Sequence, residues 1–535
     1  MKSTKLIALF TLLSSATYAQ TGYDAHRLAD SELNGTARFV GMGGAMGALG
    51  ADISVVGTNP AGIGLFRRND FSTTFGFNST QVKSDFAGTS MKETKNVGSF
   101  DQAGFVYSMK IGNHTNLRYM NLAFNYHKSS NLNKLFSVGG FLDGLSQTWQ
   151  MSNMIGGAIE SIGEIEQIYA FDLEKDNINH SPYRRDGHYP YLGVMGVRTE
   201  LVGIGKNDAG EQVLIGWNGD KNFYNSREEG GIYDYDFNVS FNVQDKMYFG
   251  ATIGVHDVDY QRSTFYSENI YDGEHDGYFE VNNVLRTEGT GIDVKLGAIF
   301  RPIDDSPFRF GFAIHTPTWY ELTDIYNSNT YSDITYRGED DKGAFEDHVE
   351  YNELVSDYLN GETLQDYRLV TPWKFNVNMG TTFAGVMAVG AEYEYSDYTM
   401  SKLRYTDGYD MQDQNEYMDS DMKGVHTLRL GMETRVTDAF SVRVGYNYSS
   451  SAFEKGAKKS LNWNDMRTDT EFNNKFDQNT LTVGLGYKGR IFYVDAAYKY
   501  NTFKSDFYSF SDEALQAAKL TNERHQALVT LGARF

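Results

Sequence analysis

The chain is poor in cysteine, in proline and in long hydrophobic runs, and each absence excludes a class of protein. It contains no Cys and only 7 Pro in 535 residues. Without cysteine there is no disulfide scaffold, thiolate zinc site, iron–sulfur cluster or cysteine nucleophile. After residue 19, no segment approaches the roughly 18–20 apolar residues that a membrane-spanning helix needs. Basic residues are also few, with 48 Lys and Arg against 70 Asp and Glu. The net charge of −22 argues against nucleic acid as a partner.

Aromatic residues and glycine, by contrast, are abundant. The chain has 37 Tyr, 35 Phe and 54 Gly. Its mean hydropathy of −0.48 is typical of a soluble protein. Disordered acidic chains, however, contain few aromatic residues, so this chain is expected to be folded. Together with the scarcity of proline, this composition favours long β-strands.

The first 19 residues have the pattern of a secretory signal peptide. Lys2 and Lys5 precede the apolar segment 6–13, and residues 17–19 (Thr-Tyr-Ala) form a cleavage site. No cysteine follows, which excludes a lipoprotein anchor. We therefore expect an exported mature chain that begins near Gln20.

Apolar and polar residues alternate over segments of about ten residues, as in a strand tilted across a bilayer. In the C-terminal segment, for example, Ala527, Val529 and Leu531 share one face with Phe535. Strands of soluble β-sandwiches are usually shorter and their turns richer in proline. The fourteen candidate strands are 70–79, 102–111, 118–128, 233–243, 246–257, 292–301, 307–316, 373–383, 386–397, 424–434, 439–449, 479–488, 490–501 and 524–535.

Short and long connections alternate along these candidates from residue 129 onward. The predicted long loops are 129–232, 258–291, 317–372, 398–423, 450–478 and 502–523. Short periplasmic turns and long extracellular loops are typical of a closed outer-membrane barrel, which usually has an even number of strands. The sequence therefore predicts an all-β protein, a transmembrane antiparallel barrel of about 14 strands over residues 70–535 in a bacterial outer membrane.

Residues 36–66, just before the first strand, carry a glycine-rich motif and an Asn-Pro-Ala-Gly motif. The motif residues are Gly41, Gly43, Gly44, Asn59, Pro60, Ala61 and Gly62. This segment resembles the N-terminal hatch of the FadL/TodX family of outer-membrane transporters for long-chain fatty acids and other hydrophobic compounds. Segments 308–319, 371–378 and 390–398 are also similar to that family. The alternative is an ordinary loop packed under the barrel.

The resemblance implies a fourteen-stranded barrel plugged by residues 20–69, without enzymatic activity or cofactor. Ligands of that family adsorb at an extracellular groove, enter the barrel and leave sideways into the membrane. The implied partners are a hydrophobic small molecule, membrane lipid, lipopolysaccharide and the barrel-assembly machinery, and we expect a monomer. Segment 118–128 contains neither Gly nor Pro, so the strand kink that opens the family's lateral exit is not located.

Two groups of residues are candidates for ligand contact. Strand alternation places basic side chains in the lumen, where they can hold a carboxylate or instead pair with nearby Asp and Glu: Arg309, His315, Lys374, Arg429 and Arg443. Helical spacing within loop 129–232 predicts an adaptable extracellular groove, or else packing on the barrel rim, formed by Leu142, Leu145, Trp149, Met151, Met154 and Ile155.

Other functions remain open at this level. Residues 272–283 nearly trace a calcium loop, but position twelve is Asn283 and no helices flank it. No catalytic motif is present, which leaves a lipase-like barrel enzyme as a distant alternative. The same scaffold would also suit an interaction protein, such as a secretion shuttle or a haem-binding receptor.

Overall fold

The computed structural model describes residues 20–113, 115–184, 189–340, 343–461 and 464–535. The predicted signal peptide, residues 1–19, lies outside the described residues. Within the described ranges, none of the helices has the length and apolar character needed to cross a membrane.

Helices occupy the N-terminal segment and the connections at one end of the molecule. The α-helices are α1 Gly22–Ala29, α2 Ala37–Gly41, α3 Gln147–Ala158, α4 Ile162–Ala170, α5 Tyr191–Arg198, α6 Val355–Leu359 and α7 Gln412–Asp421. Four short 3₁₀ helices span Ile53–Gly57, Pro60–Leu65, Ile178–His180 and Tyr398–Met400.

The other regular elements of the described chain are antiparallel strands. The strands are β1 Asp70–Phe86, β2 Thr89–Lys110, β3 Leu117–Asn131, β4 Lys134–Gly144, β5 Val202–Lys206, β6 Gln212–Gly216, β7 Gly219–Val243, β8 Met247–Tyr271, β9 His275–Phe300, β10 Arg309–His315, β11 Trp319–Asp340, β12 Gly343–Leu354, β13 Thr363–Val370, β14 Lys374–Phe383, β15 Met387–Asp397, β16 Lys402–Tyr405, β17 Gly424–Arg435, β18 Phe440–Ser449, β19 Phe472–Lys488, β20 Phe492–Tyr508 and β21 Ala518–Arg534.

Fourteen of these strands close into a barrel, as the sequence predicts. The ring runs β1, β2, β3, β7, β8, β9, β10, β14, β15, β17, β18, β19, β20 and β21. Asp70 of β1 pairs with Arg534 of β21, so the last strand returns to the first. Closure satisfies the backbone groups that an open sheet edge would expose to lipid.

The outward face of the ring is an apolar belt. Leu481, Val483 and Leu485 of β19 are each more than half exposed, while the intervening residues are buried. Tyr487 and Tyr498 point outward at the ends of their rows, in the position of an aromatic girdle. A closed antiparallel barrel with this belt is the architecture of a bacterial outer-membrane protein.

The strands extend far beyond the predicted bounds. The prediction of long loops is therefore wrong for segments 129–232, 258–291 and 317–372, which consist largely of strands and helices. Segment 258–291 is not a loop: β8 and β9 continue their ladder through it to a turn at residues 272–274. Segment 317–372 contains β11, β12, α6 and β13, and segment 129–232 contains β4, α3 to α5, β5, β6 and the start of β7. The ladders continue beyond the membrane because backbone hydrogen bonds between strands do not require a row of lipid-facing apolar side chains.

We expect a charge in the centre of the belt to destabilise the barrel. Val483→Arg should lower the free energy of unfolding by about 2–4 kcal/mol, because the guanidinium would lie in hydrocarbon. Tyr487→Arg, at the membrane interface, is the control and should cost about 0–1 kcal/mol. Urea unfolding from lipid vesicles measures both, and equal costs would contradict the assignment of the belt.

Candidate functional site

Residues 20–69 pack against the inward-facing residues of the barrel strands, and we call this segment the hatch. Thr36 begins α2: its hydroxyl accepts a hydrogen bond from Phe39 N and donates one to the Asp52 carboxylate at 2.8 Å. Asp52 in turn accepts from Ser54 N, which begins the next helical turn. These bonds tie the two arms of the hatch together.

The glycine-rich motif packs backbone to backbone against the barrel wall. A Cβ on wall residue Gly390 would lie 2.0 Å from Ala45 O, and one on Gly431 would lie 2.2 Å from Met42 O. A Cβ on Gly445 would lie 2.1 Å from Gly43 N. Real Cβ atoms do not tolerate such distances, so glycine on both sides is what allows the plug to fit.

The Asn-Pro-Ala-Gly motif anchors the second half of the hatch. Asn59 caps the 3₁₀ helix by accepting from Ala61 N, and its side-chain amide donates to Asn378 Oδ1 at 3.3 Å. Pro60 occupies the first turn, where its missing N–H costs nothing. Its carbonyl accepts from Ser240 Oγ at 2.9 Å. These contacts attach the motif to the barrel wall.

Ion pairs hold the hatch to the wall on the opposite side. Arg38 of α2 makes a two-pronged contact with Glu433, through Nε at 3.0 Å and a second nitrogen at 3.1 Å. Glu433 also accepts from Arg443 at 2.6 Å, and Arg443 pairs with Asp495 at 2.6 Å. The chain of four charges is internally balanced.

The predicted luminal residues all point inward, and most of them serve the hatch. Arg309 donates to Leu49 O at 3.1 Å, and a ring nitrogen of His315 lies 3.0 Å from Thr58 O. Arg429 pairs with Glu392 and Glu394, and Arg443 belongs to the cluster above. Lys374 faces a cavity in the lumen, with its ammonium group 3.4 Å from Ser31 Oγ.

Two cavities lie in the lumen above the hatch. The polar cavity, of about 150 Å³, is bordered by His127, His256, Asp234, Asp293 and Lys295. Its charges are mutually compensated: His256 contacts Asp234 at 2.8 Å, and Lys295 donates to Asp236 at 2.7 Å.

The aromatic cavity, of about 200 Å³, lies beside α1 and is bordered by Phe136, Phe503, Phe507 and Tyr224. Lys134 also borders it, with the ammonium group 4.6 Å from the centroid of the Phe136 ring. Among the described residues, no carboxylate oxygen lies within 4.0 Å of this ammonium group. The cavity therefore combines an aromatic side with charged side chains, among them Arg27, Glu228 and Arg262, and Lys134 lies opposite Glu228 in the β4–β7 ladder.

The barrel wall is interrupted beside these cavities. β2 begins at Thr89, but its ladder with β3 starts only at Gln102, which pairs with His127. Asp101 is the extra residue of a bulge in the β1–β2 ladder; it is fully buried and accepts from Asn34 Nδ2 of the hatch at 2.8 Å. From Gln102 toward the periplasm, β2 and β3 are hydrogen-bonded to each other. Toward the extracellular side of Gln102, the two strands are no longer paired.

The separated part of β3 turns into the lumen. Ser129 borders the polar cavity, and residues 130–132 border the aromatic cavity. Leu132 packs inside the barrel against the cluster that contains Leu28 of α1. Higher up, Lys95 of β2 reaches across to β7, where its ammonium donates to Glu229 at 2.9 Å. Segment 118–128, where the sequence was searched for a kink, contains neither Gly nor Pro, and the gap lies instead beside residues 96–101 of β2.

Three of the predicted groove residues are core residues of the extracellular region. Leu142, Met151 and Ile155 are at most 2% exposed. Ile155 and Met151 pack against two glycines of α5: a Cβ on Gly193 would lie 2.7 Å from Ile155 Cβ. Leu145, Trp149 and Met154 are partly buried. Leu142, Met151 and Ile155 therefore pack as the rim-packing alternative expects and do not line an open groove.

A different set of residues forms an open apolar pocket of about 330 Å³ on the extracellular region. It is bordered by Ile165, Val197, Ile204, Trp217 and Tyr336, among others. Trp217 stacks on His275 with ring centroids 3.8 Å apart. Sequence reasoning missed this extracellular pocket because its residues come from four separate segments of the chain.

The near-calcium segment forms the tight turn between β8 and β9. Asp272 accepts from the backbone N–H groups of Glu274 and His275. Within the described ranges, no three His, Cys, Asp or Glu side chains are grouped so that they could hold a metal ion.

Comparisons with known proteins give matches of structure only. No protein-family model and no curated protein matches the chain. The chain is similar to the crystal structure of a Pseudomonas aeruginosa FadL homologue (TM-score 0.49, 12% identity, 94% of this chain and 99% of that one). It is also similar to the P. putida toluene transporter TodX (0.47, 11%, 94% and 99%) and the Ralstonia pickettii toluene transporter TbuX (0.44, 13%, 94% and 99%).

Proposed function

We propose that this chain is a FadL/TodX-type outer-membrane transporter that moves hydrophobic small molecules passively through a hatch-plugged barrel. The observation that carries the proposal is the interruption of the β2–β3 ladder next to an aromatic cavity in the lumen. A barrel that served only as an interaction scaffold would have no use for a side gap that meets an internal apolar cavity. The hatch motif of residues 36–66 supports the same family.

The route begins at the extracellular pocket around Trp217, which is open to water and bordered largely by apolar side chains. From there the ligand reaches the aromatic cavity beside α1, where Phe and Tyr side chains replace water around it. The gap between β2 and β3 then leads to the bilayer. Movement through this route is downhill, because an apolar ligand is more stable in lipid than in water.

We propose amphipathic anions, such as long-chain fatty acids, as the ligands of the aromatic cavity. Lys134, which lies opposite Glu228 on β7, supplies an ammonium group that makes no ion pair within 4.0 Å among the described residues, and Phe136, Phe503 and Phe507 supply the apolar surface. A charge-assisted hydrogen bond from Lys134 would orient the carboxylate. Neutral hydrocarbons would use the apolar surface alone.

We expect Lys134→Met to separate these two ligand classes. In proteoliposomes, the variant should raise the KM for a fluorescent long-chain fatty acid by roughly fivefold, the worth of one charge-assisted contact. Uptake of toluene should be unchanged, because toluene makes no use of the ammonium group.

Lys92→Met is the matched control, since Lys92 is an exposed lysine of β2 and should affect neither ligand. Equal KM values for wild type and Lys134→Met would refute the fatty-acid assignment while leaving transport intact. No uptake of either ligand above that of empty liposomes would refute transport itself.

A further inference from the structure

A third cavity lies at the periplasmic mouth of the barrel, and the transport proposal makes no use of it. This periplasmic vestibule has a volume of about 620 Å³, larger than either luminal cavity. Leu49, Gly50 and Phe66 of the hatch form its roof, and the ends of the strands and their short turns form its sides.

The vestibule has the opposite charge from the protein as a whole. Five carboxylates border it: Asp52, Asp70, Glu433, Asp438 and Asp495. Nine basic side chains also border it: Arg38, Arg67, Arg68, Arg309, Arg435, Arg443, Lys488, Arg490 and Arg534. In a chain with 70 acidic and 48 basic residues, an excess of cations in one concave space is a local feature and not a consequence of composition.

Most of the carboxylates in the vestibule are already engaged. Glu433 and Asp495 belong to the ion-pair chain with Arg38 and Arg443, and Asp70 pairs with Arg534 at 2.6 Å. Asp52 accepts from Thr36 and Ser54 within the hatch. These four carboxylates are therefore already engaged, either in contacts that involve the hatch or in the ion pair beside the β1–β21 closure of the barrel.

Four cations are left over. Among the described residues, no hydrogen bond or ion pair is made by the side chains of Arg68, Arg435, Lys488 and Arg490, and all four are exposed to the vestibule. The inward rows of β17 and β19 end on two of them: Arg435 follows Glu433, and Lys488 follows Gly486. Lys488 lies at the periplasmic turn, where burial and then the charges of Arg534, Arg435, Arg38 and Arg68 lower its pKa.

The apolar rim separates these cations from the membrane. Val436, Ile491 and Phe492, next to Arg435 and Arg490 in sequence, are 50–71% exposed, and Ile491 and Phe492 also border the vestibule. The four cations border the vestibule itself, so an anion from solution can supply the opposing charge.

We propose that the periplasmic vestibule is a binding site for a soluble organic anion that carries carboxylate or phosphate groups, held by Arg68, Arg435, Lys488 and Arg490. Arginine supplies paired donors that match the geometry of both groups, and lysine adds a point charge. An anion with several charges would satisfy the four cations at once.

The test is binding of citrate and of inorganic phosphate to the full-length protein in a nonionic detergent at low salt, measured by isothermal titration calorimetry. Arg435→Gln/Lys488→Gln/Arg490→Gln should weaken citrate binding about tenfold or more and flatten its dependence on salt, because three charges are lost. The matched control is Lys206→Gln/Lys455→Gln/Lys504→Gln, which removes three exposed lysines outside the vestibule. It should stay within about twofold of wild type.

Three results would overturn the proposal. One is the absence of citrate and phosphate binding to wild type, and another is equal weakening by the vestibule and control variants. The third comes from nanodiscs: if phosphatidylglycerol abolishes citrate binding that persists in phosphatidylcholine, the site belongs to a lipid headgroup and not to a soluble anion.

Discussion

We expect oxidation of a Gly47→Cys/Asn378→Cys protein to stop the proposed uptake of hydrophobic compounds, and reduction to restore it. A Cβ on Gly47 of the hatch would lie 2.9 Å from Asn378 Cγ on β14. A cysteine sulfur at residue 378 takes the place of that Cγ, and a disulfide needs about 3 Å between a sulfur and the Cβ across the bond. The bond would fix the middle of the hatch to the wall, so a transport cycle that displaces the hatch could not proceed.

The composition of the chain simplifies the interpretation of this experiment. It contains no other cysteine, so no competing disulfide can form within the protein. The single variants Gly47→Cys and Asn378→Cys are the controls, and both should respond equally to oxidant and reductant. Uptake by the oxidised double variant at the rate of the reduced one would show that the hatch stays in place during transport.

Replacement of Arg467 by methionine is expected to give the largest loss of stability. Arg467 is 1% exposed; it contacts Asp24 of α1 at 2.6 Å and also pairs with Asp469. Removing the guanidinium leaves two buried carboxylates short of a partner. Breaking a buried ion pair in this way costs about 3–5 kcal/mol, which we expect as a lower urea midpoint and faster proteolysis near α1.

Arg404→Met provides the comparison for that loss. Arg404 pairs with Asp410 at 2.7 Å, but the two side chains are 42% and 48% exposed. An exposed ion pair contributes about 0–1 kcal/mol, so the two variants should differ several-fold in their effect. Similar midpoints for both would mean that the extracellular end tolerates buried charge through water that enters beside α1.

The alternation of apolar and polar side chains along the strands is what allowed the fold to be predicted from the sequence. Residues such as Leu481, Val483 and Leu485 record which face of their strand meets lipid, and this information is local. The number of strands in the ring and the location of the short turns followed from it. Strand ends did not, because β8 and β9 remain paired through residues 258–291, where no apolar row reports the pairing.

The candidate site could be predicted only in part. The motifs Gly41–Gly44 and Asn59–Gly62 predicted a hatch only through their resemblance to that of the FadL/TodX family, and the structure adds that the glycines allow close backbone contact with the wall. The luminal orientation of Arg429 and Arg443 also followed from alternation. Their partners did not, since Glu392 and Asp495 come from other strands and meet the arginines only once register is set.

The sequence alone thus determined a barrel of fourteen strands with a glycine-rich plug and an apolar belt, because these depend on residues within one strand or one motif. Only the tertiary structure decided where the β2–β3 ladder ends, which lysine borders the aromatic cavity, and where four cations collect at the periplasmic mouth. These features arise between segments up to hundreds of residues apart, and closure of the ring is what brings such segments together.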